Sequence, residues 1–160
     1  MNNTSNNVNS TFPKTQKKLI IAEKPSVGKT YANILGVTQM KDGYMESDTW
    51  IVTWSVGHLI ELSYPEAYDP ALKKWAMETL PFLPERYKYN VISNVRKQFN
   101  VVKSLYNRSD IETIYYAGDS GREGLYIQML IRMVAGHKKR TFTEKSAAGF
   151  GLILRRKKLY

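Results

Sequence analysis

The chain has 160 residues, 42% hydrophobic and 12% aromatic, with a formal net charge of +10 and no cysteine. That is enough length and apolar content for one domain with a real core, and it excludes a disulfide framework or a thiolate metal site. No apolar run approaches the roughly 18 residues of a membrane span and no signal peptide is visible, so a soluble, cytoplasmic protein without a membrane partner is expected. The charge is uneven: residues 137–160 hold eight Lys/Arg against one Glu, whereas residues 17–136 hold 15 basic against 13 acidic. Basicity alone is therefore no argument that the folded part binds nucleic acid.

Residues 1–16, MNNTSNNVNSTFPKTQ, are nearly uncharged and rich in Asn, Ser and Thr. They read as a disordered leader without the arginine-rich pattern of a transit peptide. The apolar run Leu19, Ile20, Ile21 predicts a buried strand with Glu23 and Lys24 at its end. Ser26 is placed as the N-cap of a helix reaching about Leu35, with Gly36 after it. Gly28-Lys29-Thr30 imitates the end of a phosphate-binding loop, which makes a P-loop-like nucleotide-binding enzyme an alternative. Against it, the loop's first glycine would fall on Glu23, and Pro25 removes an N–H that the loop needs.

Residues 40–63 carry strand-like runs, densest at Trp50 to Trp54. They end in SVGHLIEL, where His58 reads equally well as a hydrogen-bonded structural histidine. Residues 64–89 contain Pro65, Pro70, Pro81 and Pro84, which predicts an extended, loop-rich excursion. Within it, Lys73, Lys74 and Trp75 offer charge and stacking to single-stranded DNA. The plainer reading is preferred there: a solvated turn with Trp75 as a hydrophobic anchor. Residues 94–108 predict an amphipathic helix with Val95, Phe99, Val102 and Leu105 inward, and with Arg96, Lys97, Lys103 and Arg108 on the wetter side.

Residues 112–136, ETIYYAGDSGREGLYIQMLIRMVAG, predict a strand, a glycine-rich turn over 118–124, and a helix over 125–134 that stops at Gly136. Leu125 and Met129, like Ile127, Leu130, Ile131 and Val134, recur at helical spacing. Asp119 and Glu123 stand where strand hands over to helix, the edge at which open α/β sheets bind ligands. Two carboxylates four residues apart beside three glycines suit a hard cation such as Mg²⁺; the same acids also read as helix caps that offset the dipole. If the first strand and this one are neighbours, Glu23, Asp119 and Glu123 converge. Helix, strand and helix after an initial strand–helix unit predict an α/β fold with a mostly parallel sheet flanked by helices.

AEKPSVGKT, VTWSVGHLIEL, DPALKKW and AGDSGREG, in this order and spacing, resemble the N-terminal Toprim domain of type IA DNA topoisomerases, on the topoisomerase III branch. The resemblance covers roughly residues 17–136. It implies a Toprim-type, Rossmann-like fold, use of Mg²⁺ with no small-molecule cofactor, and transient cleavage of single-stranded DNA through a phosphotyrosine. It implies Glu23 as acid/base residue near the scissile phosphodiester, its pKa raised by acidic neighbours, and Lys24 as a phosphate contact. Asp119 and Glu123, with Glu23, are implied as metal ligands. His58, Arg122, Lys73 and Lys74 are implied on the DNA side.

Two departures stand out. The family pattern D-x-D-R-E-G-E reads Asp119-Ser120-Gly121-Arg122-Glu123-Gly124-Leu125 here, so one ligand and one outer acid are replaced and weaker Mg²⁺ binding is expected. None of the 11 tyrosines lies in a segment resembling the family's nucleophile site, so the missing catalytic domains, normally in the same chain, would have to supply it. A truncated module, inactive alone, is expected; a stand-alone Toprim protein that binds nucleic acid without cutting it is the alternative. Residues 137–160 resemble nothing in the family. Degenerate codons for 144–160, read two bases out, permit a run containing Trp-Ile-Asp-Phe-Thr. A frameshift near residue 140 is therefore expected, with loss of the sheet's last strand; nucleotide sequence that does not permit that run would rule it out.

Overall fold

The computed structural model describes residues 16–118 and 121–136, and the backbone of 140–142. The leader (1–16, save Gln16), Asp119, and most of the 137–160 segment lie outside the described residues.

Strand β1 (Lys17–Ala22) is central, because its residues from Leu19 to Ala22 are apolar and buried on both faces. It pairs in parallel with β4 (Trp50–Trp54) on one side and β7 (Ile111–Ala117) on the other. The hairpin β2 (Gln39–Lys41) and β3 (Tyr44–Glu46) adds two antiparallel strands beyond β4. Strand β8 (Arg140–Phe142) pairs in parallel with β7. The six-stranded order is β2-β3-β4-β1-β7-β8, an α/β sheet with a parallel core. The expected loss of the last strand is not met, since β8 occupies that edge.

Side-chain alternation divides the core into two layers. Ile20 and Ala22 of β1 pack with Val52, Trp54 and Ala117 under helix α1 (Pro25–Leu35). Leu19 and Ile21 face the other way, against α2 (Arg96–Tyr106) and α3 (Arg122–Ala135). The α1 N-cap is Lys24, with Pro25 at the first helical position; Ser26 makes no cap. Proline's fixed φ already suits the first turn, so no side-chain cap is needed to start it. Gly36 closes the helix at φ +70°.

Helix α2 buries Phe99, Val102, Leu105 and Tyr106, while Val95 belongs to a short 3-10 turn ahead of it. Arg108 is not on the wet side. It lies past the helix end, where its guanidinium holds Asp110 at 2.7 Å and Glu46 at 2.7 Å. Residues 64–89 run as three single 3-10 turns, as the prolines require, and are bracketed by a small second sheet of β5 (Ile60–Leu62) and β6 (Tyr89–Val91). Trp75 is 69% exposed, so it is not the buried anchor expected. No helix among the described residues is long and apolar enough to cross a membrane.

Candidate functional site

The parallel pairing of β1 and β7 ends at Ala22 opposite Ala117. Both strands therefore deliver the chain to the same edge, and Glu23 and Gly118 lie side by side: a Cβ on Gly118 would stand 4.0 Å from that of Glu23. Asp119 follows Gly118 directly but is outside the described residues. The expected convergence of Glu23 with the turn after β7 rests on this register.

Ser55, buried at the end of β4, fastens the edge. Its N–H donates to the Ala22 carbonyl at 2.8 Å, and its Oγ donates to the Glu23 carbonyl at 2.9 Å. Two residues on, Gly57 turns the chain at φ +84°. Such a backbone suits glycine alone, and it sends His58 toward α3. His58 Nε2 lies 3.4 Å from Glu123 Oε1, and its ring centroid is 6.3 Å from that of Tyr126. Lys24 Nζ lies 3.4 Å from Glu23 Oε1, largely in solvent.

Helix α3 begins three residues earlier than periodicity predicts, at Arg122, with Gly121 as its N-cap. Arg122 and Glu123 therefore ride on its first turn. The dipole of that turn favours an anion, whether carboxylate or phosphate. The helix buries Ile127, Gln128, Leu130, Ile131 and Ala135 but leaves Leu125 and Met129 more than half exposed. Leu125 and Met129 thus share a helical face that the core does not use.

Glu23, Lys24, His58, Arg122 and Glu123 gather on or beside one edge. Lys73 and Lys74 sit at the end of a 3-10 turn in the excursion, opened by Asp69, whose carboxylate accepts from the Ala71 N–H. The phosphate-loop alternative fails on geometry. Gly28 lies within α1, its N–H spent on the Lys24 carbonyl, and a Cβ there would stand 2.7 Å from Trp54 Cε3.

No three His, Asp or Glu among the described residues, which do not include Asp119, form a metal cluster. The donors at the edge are nevertheless oxygen atoms, as Mg²⁺ requires. Gln128, whose buried amide oxygen meets no hydrogen-bond donor among the described residues, lines the cleft with Glu23. Glu23 and Glu123 offer carboxylate oxygens, the donor type that a small hydrated cation takes. Ser55 and Gln128 carry no sequence signal of their own: one ends a strand-like run and the other occupies a core position on a helix.

The sequence matches the Toprim domain family over residues 18–146. DNA topoisomerase 3 of Staphylococcus saprophyticus is 46% identical over 125 residues, covering 78% of this chain and 18% of that protein. DNA topoisomerase 3 of Bacillus anthracis is 50% identical over 108 residues, covering 68% of this chain and 15% of that protein. The chain thus spans less than a fifth of the length of these relatives. The match over most of the sequence and the parallel α/β core agree: this chain belongs to the Toprim domain family and is homologous to part of the DNA topoisomerases 3.

Proposed function

We propose that this chain is the acid/base and Mg²⁺-holding module of a type IA DNA topoisomerase, which relaxes or decatenates DNA by transient cleavage of a single strand. The observation that supports the reading is the β1–β7 register, which sets Glu23 beside Gly118, the residue before Asp119 in sequence.

In this reading a tyrosine from a further domain attacks phosphorus, and the bond from phosphorus to the sugar oxygen breaks. Glu23 gives its proton to that departing oxygen and takes it back on religation, a role for a positioned carboxyl worth about 10²–10⁴ in rate. Ser55 fixes the backbone from which Glu23 projects. Lys24 and Arg122 hold the phosphate, with the α3 N-terminus behind them. His58 orients Glu123. Asp119, Glu123 and Glu23 would hold Mg²⁺, which would supply positive charge to offset that of the phosphate. Lys73, Lys74 and the exposed Trp75 offer the strand charge and a stacking face.

Exchange of residues 18–146 into the S. saprophyticus relative tests this. The chimera is expected to relax supercoiled DNA, and Glu23→Gln to lower that rate by about 100-fold or more. A chimera that folds and binds DNA without relaxing it, or one indifferent to Glu23→Gln, contradicts the reading.

A further inference from the structure

Helix α3 presents a second surface beside the edge, and it is apolar. Leu125, Tyr126, Met129 and Met133 are 40–53% exposed, so the helix carries apolar side chains that the core does not use. Single exposed apolar residues are ordinary, whereas a run of them that begins at a charged site calls for a partner. Tyr126 and Met129, three apart, and Met129 and Met133, four apart, are neighbours on a helix surface. Tyr126 is the member of this run that meets His58. It follows Glu123 by three residues, one turn into the helix, and its ring centroid lies 6.3 Å from that of His58. His58 Nε2 in turn lies 3.4 Å from Glu123 Oε1, so the imidazole bridges the first turn of the helix and Tyr126. The two rings are tilted by 57° rather than stacked, and Tyr126 stays 40% exposed. An aromatic surface is thus open to solvent beside the turn that carries Arg122.

We propose that Tyr126 is a base-stacking residue of the DNA site, receiving an unpaired base of the strand whose phosphate Lys24 and Arg122 hold. This rests on the reading of the edge as the place where a single DNA strand is cut. A strand held by its phosphates must still place its bases, and unpaired bases leave water by stacking on aromatic side chains. Every base has a π face, so the contact holds the strand without selecting its sequence. Tyrosine has only two side-chain torsions, and His58 braces this ring, so little freedom is lost on binding. A protein partner would be served by Leu125, Met129 and Met133 alone. The cations Lys24 and Arg122 and the helix N-terminus at the head of the run suit a polyanion instead.

The test is fluorescence anisotropy of two labelled ligands with the full chain. One is an oligothymidylate of about eight nucleotides; the other is a base-free deoxyribose-phosphate strand of the same length. Affinities are compared at equal salt, so that binding by bulk charge enters both alike. Tyr126→Leu is expected to weaken the oligothymidylate by about fivefold or more, the loss of one stacked base, and to leave the base-free strand unchanged. Tyr126→Trp, with a larger π face, is expected to bind the oligothymidylate at least as well as the unaltered chain. Equal losses for both ligands in Tyr126→Leu would mean that the ring only braces His58. No loss for either would mean that the apolar run does not meet DNA. Each of these results overturns the inference; if Lys24→Ala and Arg122→Ala still weaken both ligands, the reading of the edge as the DNA site stands. Absence of oligothymidylate binding by the unaltered chain, or binding indifferent to Lys24→Ala and Arg122→Ala, overturns both.

Discussion

Glu46 is a buried carboxylate held by two cations, and it lies at the amino end of β1, away from the candidate site. Lys17 Nζ reaches Glu46 Oε1 at 2.8 Å and Arg108 at 2.7 Å, tying β1, β3 and the α2–β7 connection together. Burial raises the carboxyl's pKa, but the hydrogen bonds and charges of Arg108 and Lys17 outweigh it and hold the group below its ordinary 4.5. A depressed folded pKa contributes stability above the unfolded value, and this is lost as pH falls through the folded one. Denaturant unfolding should therefore show Glu46→Gln less stable at pH 7 by about 1–2 kcal/mol, with the gap narrowing below pH 4.5. A gap of the same size at pH 3 and pH 7 would mean that the ion pairs contribute nothing. None of this network was legible in the sequence. Arg108 falls on the polar face of a helical wheel, and its partner Glu46 is 62 residues away. Glu23, His58 and Glu123, which the structure puts at or beside this edge, are residues that local motifs singled out. Ser55 and Gln128 were not, because their meaning comes from what packs against them.

Among the elements, the seating of α1 on the sheet turns on one glycine. A Cβ on Gly28 would stand 2.7 Å from Trp54 Cε3, closer than packed atoms tolerate, and Trp54 is buried. Gly28→Ala gains up to about 1 kcal/mol of helix propensity but forces the helix or the ring to shift. Overpacking of this kind costs about 1–3 kcal/mol, so a net fall in melting temperature is expected. A rise would show that α1 does not approach Trp54 this closely. This glycine imitates a phosphate loop in sequence and serves helix–sheet packing in the fold. Elements with long apolar runs, β1, β4, α2 and β7, were legible because burial leaves a periodic trace. The three-residue strands β2, β3, β5 and β6 are too short to leave one. Helix α3 was placed late because Arg122 and Glu123 are polar, although its N-terminal turn is where they matter most.

For the whole molecule, the question is whether DNA binding belongs to the folded edge or to bulk charge. Most of the net charge of +10 lies in residues 137–160, and charge alone gives salt-sensitive binding without a site. Binding of a fluorescent single-stranded oligonucleotide, with and without Mg²⁺, separates the two for the unaltered chain and for Glu23→Gln, Asp119→Ala and Glu123→Ala. A Toprim edge that holds Mg²⁺ predicts tighter binding with Mg²⁺ than without, and loss of that increment in Asp119→Ala and Glu123→Ala. Binding equal with and without Mg²⁺, unchanged in all three variants and abolished by deleting residues 137–160, would contradict the account.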